Sequence, residues 1–292
     1  MEQPSPLRKL LEKRLTETNT SACLVLRGAE EWLAYGRVDE AMHLMSVTKF
    51  VVTLAAARAV ELGFLGWDTP VCRFFPEWRQ GRKQAVTVRH LLGHVSGLQN
   101  VPDARQEIYP APDFVKLALA AELEAEPGTV FAYNNKAMNL VPALLERATG
   151  QPFEHYVRWA LLLEEEFRWA KDAAGNAQGM AGLELSARGL ARLGSRIASD
   201  RAGGLLSKEA LDELLAVPPE PYRGYSLWPI REGGQVIGWQ ANGYLGQWLV
   251  IFPPTELVGV RLVRADHHRS SDDDFPDFLR LMQDIHKEVF AE

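Results

Sequence analysis

The stretch Met45-Ser-Val-Thr-Lys-Phe-Val-Val-Thr-Leu-Ala-Ala-Ala57 places a serine and a lysine three residues apart at the start of an apolar run. The pattern predicts a buried helix from Ser46 to about Leu62, ended by Gly63. Residues three apart lie on one helical face, so the Lys49 amine can reach the Ser46 hydroxyl. A serine needs a base beside it to act as a nucleophile, and burial can lower the pKa of a lysine enough to supply one. Alone the pair is weak evidence, since about one Ser-x-x-Lys is expected by chance in a chain of this length.

A second motif strengthens the interpretation. After the Pro127-Gly128 turn the chain reads Tyr133-Asn134-Asn135 and then enters a predicted helix that ends at Gly150. A tyrosine can exchange a proton with Lys49, and an amide side chain two residues on can hold a substrate carbonyl or orient the lysine. The alternative is that the tyrosine and asparagine only complete a turn.

Together these motifs resemble those of the β-lactamase-like serine hydrolases, which include class C β-lactamases, family VIII esterases, D-amino-acid peptidases and D-alanyl-D-alanine carboxypeptidases. Two further segments, Thr87–Leu98 and Gly182–Gly194, are similar to family segments in the same order, and the resemblance runs from about residue 20 to 265. It implies an acyl-enzyme mechanism without metal or cofactor. The implied catalytic residues are Ser46, Lys49 and Tyr133, and Asn135 would position the substrate.

The family's third motif, a Lys-Thr-Gly or similar triplet on a strand beside the serine, is less clear. Aligning on the following strand places Ala241-Asn242-Gly243 there, and another offset would use Trp239-Gln240-Ala241. The first is preferred because glycine leaves room for a substrate along the strand. The resemblance then implies an oxyanion hole formed by the backbone N–H groups of Ser46 and Tyr244, with Gly243 helping to position the substrate.

Ala241 departs from the family because it supplies no cation where β-lactamases and carboxypeptidases often hold the substrate carboxylate. An esterase or amidase for a small neutral substrate is therefore favoured, and an esterase most of all. The alternatives are a β-lactamase, a D-amino-acid peptidase or penicillin-binding activity, and a non-catalytic binding or sensor descendant of the fold.

The order of patterns predicts an α+β fold of the β-lactamase/transpeptidase-like type. Strand-like runs lie near both ends and helical patterns lie between them. We expect an antiparallel sheet region from residues 1–67 plus 198–292, covered by terminal helices, and an inserted, mostly helical region at 68–197. The active site would lie in the cleft between them, within one structural unit.

The composition and net charge limit which classes of molecule the protein is expected to bind. The 292 residues carry a net charge of −6 with no basic stripe, which argues against nucleic acid. Neither a membrane-spanning run nor a secretory signal is recognisable, so a cytoplasmic protein with a small-molecule substrate and no membrane partner is expected. Cys23 and Cys72 sit among apolar neighbours and are expected to be buried, reduced thiols; a disulfide between them is the alternative that the sequence leaves open. The oligomeric state is not predicted.

Several other residues are weaker candidates for a functional role. His90 and His94 are four apart but lack the glutamate of a zinc motif, so packing or hydrogen bonding is favoured. His43 precedes Ser46 but has no acidic partner assigned in the sequence. Gly189 replaces a capping acid, and a frayed helix start is expected there. Four aromatic side chains either pack the core and strands or form an apolar acyl or aryl pocket: Tyr222, Trp228, Trp239 and Tyr244.

Overall fold

The computed structural model describes residues 5–199, 205–217, 220–221 and 223–291. Its main sheet has the strand order β2-β1-β9-β8-β7-β6, and all neighbours are antiparallel. The strands are β1 Ala22–Arg27, β2 Glu30–Gly36, β6 Trp228–Glu232, β7 Gln235–Gly243, β8 Gln247–Phe252 and β9 Leu257–Leu262. The sheet is therefore built from both ends of the chain, and the α+β prediction is confirmed.

Helices cover both faces of this sheet because its side chains alternate between two apolar faces. In β1, Cys23 and Val25 face the terminal helices α1 (Pro6–Glu17) and α10 (Phe278–Ala291). The opposite face, which includes Leu24, packs against α8 (Ala187–Ala198). Ser5 caps α1 by accepting a hydrogen bond from the backbone N–H of Arg8, as the sequence predicts.

Glycine lets α8 approach the sheet closely. A Cβ on Gly194 would lie 2.8 Å from Val258 Cγ1 and 3.1 Å from Leu249 Cδ1, closer than carbon atoms pack. The expectation of a frayed start to α8 is wrong, because Ser186 caps it by accepting from the N–H of Gly189 at 3.0 Å. A side chain at Gly189 would also contact Leu185, so glycine is required there by packing.

The middle of the chain is mainly helical, as expected. Helix α2, Thr48–Glu61, precedes this region, and α9, Lys208–Leu214, follows α8. The helices of the region before α8 are α3 Val88–Leu92, α4 Ala104–Glu107, α5 Phe114–Ala120, α6 Asn135–Thr149 and α7 Phe153–Ala160. Helix α2 packs against α6, α7 and α9. The division of the chain at residues 67/68 and 197/198 stays a prediction; α8, although assigned to the helical region, packs on the sheet.

Three details differ from the sequence-based expectations. The nucleophile helix begins at Thr48, and Ser46 lies in a 3-10 turn, Met45–Val47, that leads into it. A small second sheet, missed because its strands have only two or three residues, is formed by β3 Met42–His43, β5 Leu183–Leu185 and β4 Arg168–Trp169. Cys23 is a buried free thiol as expected, whereas the free Cys72 is only partly buried.

Candidate active site

The 3-10 turn before α2 places Ser46 directly beside Lys49. The Lys49 Nζ lies 3.2 Å from the Ser46 Oγ. The turn begins at Met45, whose φ of 50° is unusual for a residue with a side chain. Because Lys49 is in the first turn of α2, its side chain projects back toward the serine.

The Lys49 amine is held in an environment that favours its neutral form. The residue is 1% exposed, and Nζ donates a 2.6 Å hydrogen bond to the Met180 carbonyl as well as contacting Ser46. No described carboxylate forms an ion pair with it. Burial lowers the pKa of Lys49 to about 7. A lysine that is neutral near physiological pH can accept the proton of a serine hydroxyl.

Tyr133 completes this group of three polar side chains. Its hydroxyl lies near the Ser46 side chain, and its ring centroid lies 4.8 Å from Lys49 Nζ. Burial of the phenol raises the pKa of Tyr133, and the neighbouring Ser46 side chain acts in the opposite direction. The tyrosine therefore carries its proton at neutral pH and can donate it to a departing group.

The carbonyl that accepts from Lys49 is itself fixed by an asparagine that sequence reasoning missed. Asn139 of α6 is buried, and its Oδ1 accepts the backbone N–H of Met180 at 3.0 Å. Gly179 lets this segment lie against α6, because a side chain there would collide with the Met138 carbonyl. Asn139 belongs to no motif, so only the folded chain reveals its connection to Lys49.

The end of β7 runs along the serine turn. A Cβ on Gly243 would lie 2.9 Å from the Leu44 carbonyl oxygen and 3.0 Å from the Ser46 backbone nitrogen, so the close approach requires glycine. The structure thus brings Ala241-Asn242-Gly243 to the serine, with Tyr244 next in the chain. Ala241 is 2% exposed and buried below the surface.

A cleft of about 300 Å³ opens over these groups. The residues that line it are Ser46, Lys49, Tyr133, Ser226, Trp228, Asn242, Gly243 and Tyr244. Of the predicted pocket aromatics, Trp228 and Tyr244 are present, while Trp239 packs against the core beside the sheet. Tyr222 lies outside the described residues. Asn135, the first residue of α6, is not in the lining. Asn242 belongs to the predicted Ala241-Asn242-Gly243 triplet, and Ser226 is a lining residue that the sequence does not predict.

A buried arginine supports the loop that follows Gly243. Arg261 of β9 is fully buried, and its guanidinium donates to the carbonyls of Leu245 at 3.2 Å and Gly246 at 2.7 Å. Leu245 and Gly246 both have positive φ, 67° and 71°, so the loop is a tight, specific conformation. The remaining donors of Arg261 reach the Thr20 hydroxyl and the carbonyls of Thr18 and Asp273.

The histidines have structural roles. His90 accepts the N–H of Thr87 in the cap of α3, and His94 accepts the N–H of Asn134 at 3.1 Å, which confirms the hydrogen-bonding interpretation. His43 does have an acidic partner, Glu184 at 3.0 Å, contrary to the expectation from sequence. That pair lines a different surface cavity, away from the cleft over Ser46.

Within the described ranges, no group of three His, Cys, Asp or Glu side chains is placed to hold a metal ion. No helix of the described chain is both long and apolar enough to cross a membrane.

The antiparallel sheet, its covering helices and the serine in the turn that leads into α2 form the β-lactamase/transpeptidase-like fold. The penicillin-binding protein of Bacillus halodurans shares it with a TM-score of 0.75 at 18% identity, covering 95% of this chain and 99% of that one. The family model described as Beta-lactamase matches residues 7–280. The chain therefore belongs to the Beta-lactamase family.

Two curated relatives match part of the chain. Esterase EstB of Burkholderia gladioli is 36% identical over 135 residues, which are 40% of this chain and 34% of EstB. Penicillin-binding protein 4* of Bacillus subtilis is 26% identical over 138 residues, which are 44% of this chain and 29% of that protein. The matched stretch thus spans about a third of each relative.

Proposed function

We propose that the protein is a serine hydrolase that cleaves small neutral esters through an acyl-enzyme on Ser46. One observation carries the proposal: a buried lysine, with no carboxylate partner in the part of the chain that the structure describes, lies 3.2 Å from the serine hydroxyl. Burial of Lys49 costs stability, and a surface-helix lysine would avoid that cost. Its placement beside an accessible hydroxyl is what a nucleophile and its base need.

The reaction follows from the positions of the three side chains. Neutral Lys49 accepts the Ser46 proton as Oγ attacks the ester carbonyl. Collapse of the tetrahedral intermediate breaks the bond to the alcohol, which leaves with a proton from Lys49 passed through Tyr133. Water then attacks the acyl-enzyme and gives a proton to Lys49. The bond between the acyl carbon and Oγ breaks, Oγ takes that proton back from Lys49, and the acid leaves with Ser46 and neutral Lys49 restored.

The developing negative charge is stabilised by backbone donors in this proposal. The N–H of Ser46 lies beside Gly243, and Tyr244 supplies the next N–H along the strand end. Two such donors would bind the oxyanion over the serine. Asn242, which lines the same cleft, adds a neutral amide where the family often has a threonine-type donor.

A neutral ester is preferred because of the charges in the cleft lining. Among the described residues that line the cleft, Lys49 is the one Lys or Arg, and it is already bonded to Ser46 and Met180. A substrate carboxylate held against these described lining residues would therefore have no free cation to pair with. EstB, a relative of part of the chain, bears the name of an esterase.

The test is hydrolysis of short and medium p-nitrophenyl esters by the wild type and by Ser46→Ala, with a chromogenic cephalosporin in parallel. We expect ester turnover that falls about a thousandfold or more in Ser46→Ala. Ser195→Ala is the matched control, because this serine lies on α8 with a buried, unpartnered hydroxyl away from the cleft.

Each outcome decides something. Ester turnover that survives in Ser46→Ala would sink the proposal. Rapid cephalosporin turnover would identify a β-lactamase instead. Silence on both substrates would favour a peptide amidase or a binding protein without turnover.

A further inference from the structure

Ser226 is an unusual residue in the lining of the cleft. Its φ is 61°, a left-handed conformation that favours glycine, and the residue is 4% exposed. A serine there has a conformational cost that a glycine would not have. The cost indicates that the hydroxyl of Ser226 has a role in the cleft.

The hydroxyl lies beside a histidine whose tautomer is fixed. His94 Nδ1 accepts the backbone N–H of Asn134, so Nδ1 carries no hydrogen and the neutral ring must carry it on Nε2. Nε2 lies 3.4 Å from Ser226 Oγ and is therefore the donor of that hydrogen bond. His94 is buried, and burial together with the nearby Lys49 lowers its pKa to about 3. The ring stays neutral at physiological pH.

This tautomer excludes His94 as a general base for Ser226. A base for Ser226 would need a lone pair on the nitrogen that faces it, and Nε2 presents a hydrogen instead. The Ser226 oxygen accepts that hydrogen, so its own O–H is directed elsewhere. Among the described residues, Ser226 Oγ has no other hydrogen-bond partner.

Ser226 lies near Tyr133, the proton donor of the proposed reaction. The His94 ring lies 4.6 Å from the Tyr133 ring, centroid to centroid, and 6.2 Å from the Trp228 ring. Ser226, on the Nε2 side of His94, is thus in the part of the cleft next to Tyr133. If Tyr133 passes the proton to the departing alcohol, this is where the alcohol part of the ester lies.

We propose that Ser226 is a specificity residue that donates a hydrogen bond to a neutral acceptor oxygen on the alcohol part of the substrate. The inference rests on the proposed function and adds a substrate class: esters whose alcohol carries an ether, hydroxyl or carbonyl oxygen close to the scissile bond. His94 orients the hydroxyl by occupying its acceptor side.

The test compares two esters that give the same acyl-enzyme, 2-methoxyethyl butanoate and n-butyl butanoate. They have the same number of heavy atoms in the alcohol, and only the first has an ether oxygen there. Because kcat/KM reports steps up to acylation, differences in deacylation do not enter. Acid release is followed by titration for the wild type, Ser226→Ala and Ser226→Gly.

We expect the ratio of kcat/KM for the methoxyethyl ester to that for the butyl ester to fall about fivefold in both variants, as for loss of one hydrogen bond. Ser226→Gly suits the left-handed backbone, so an equal fall in both variants separates the lost hydroxyl from backbone strain.

An unchanged ratio would overturn the inference. So would a fall seen with butyl methoxyacetate relative to butyl butanoate, since that would place Ser226 on the acyl side. Ser46→Ala is run on the same esters: turnover retained in that variant would overturn the proposed function itself, whatever the Ser226 variants do.

Discussion

Changing the pH from 6 to 8 should activate the enzyme, because Lys49 must lose its proton before it can accept one from Ser46. Burial lowers the pKa of Lys49 to about 7. For that pKa roughly a tenth of the lysine is neutral at pH 6 and roughly nine-tenths at pH 8. The kcat/KM for an ester is therefore expected to rise about tenfold across this range. An unperturbed lysine, with a pKa of about 10.4, would stay almost wholly charged at both values.

The assay uses p-nitrophenyl butanoate, followed at the wavelength where phenol and phenolate absorb equally. Rates in Ser46→Ala at each pH are subtracted to remove hydrolysis that does not involve the serine. A sigmoid rise with a midpoint near pH 7 is the expected profile for the free enzyme. A rise centred near pH 10 would refute the claim that Lys49 is the base in its neutral form.

The same burial gives an independent prediction for stability. The pKa of Lys49 is lower in the folded chain than in the unfolded one, so the unfolded chain binds more protons between about pH 7 and 10.5. The free energy of unfolding therefore rises with pH in that window. Below about pH 7 the whole cost of burying Lys49 reduces the stability of the folded chain. Lys49→Met lacks this dependence. The difference in unfolding free energy between the wild type and Lys49→Met should change by about 2 kcal/mol from pH 7 to 9.

Urea unfolding of both proteins at the two pH values measures this change. The constant contribution of the lost hydrogen bonds to Ser46 and Met180 cancels, because only the change with pH is compared. A difference that stays constant between pH 7 and 9 would show that the lysine is charged in the folded protein, and would contradict the proton transfer proposed above.

Two further predictions concern the strand end over the serine. Gly243→Ala would press a methyl group against the Leu44 carbonyl and the Ser46 N–H, so kcat should fall about a hundredfold. Gly66→Ala is the control, because a Cβ there has room beside Thr69. Normal activity in Gly243→Ala would contradict the proximity of this glycine to the oxyanion donors. Arg261→Met should reduce the free energy of unfolding by about 3 kcal/mol or more, because five buried acceptors lose their donor. Arg261→Lys should show a smaller loss of unfolding free energy when both variants are unfolded in urea. Equal losses would mean that the guanidinium hydrogen bonds contribute little to stability.

Much of the fold could be predicted because local patterns and packing agree. The short apolar runs of β1 and β8 predict buried strands, and both strands have the bounds expected from the sequence. Helix α6 ends at Gly150 in the left-handed conformation, as expected from its glycine. The small second sheet has strands too short for any periodicity, so nothing local indicates it.

The site was predictable only where a motif carries it. Ser46, Lys49 and Tyr133 were found through their spacing and order, and the structure brings the three together. Asn242 lies in the cleft as part of the predicted Ala241-Asn242-Gly243 triplet, whereas Ser226 is missed because a single serine in a strand-rich region has no pattern. Asn135 was expected in the cleft from its motif, but the structure does not place it among the lining residues.

Long-range burial explains the remaining misses. Asn139 and Arg261 act on the site through backbone groups that are distant in sequence: the N–H of Met180 for Asn139, and the carbonyls of Leu245 and Gly246 for Arg261. Such contacts depend on which segments the fold brings together. An arginine within an otherwise apolar strand pattern indicates a structural role for its side chain. The groups that it bonds can be identified only in the folded protein.

The central claim is that Ser46 becomes acylated, and intact-protein mass spectrometry tests it most directly. The wild type is mixed with p-nitrophenyl butanoate and quenched in acid within the first turnovers, and peptide mapping then locates any added mass. We predict one butanoyl group, on the peptide that contains Ser46, and none in Ser46→Ala. A butanoyl group on another residue, or ester turnover in which no wild-type molecule ever carries one, would contradict the account.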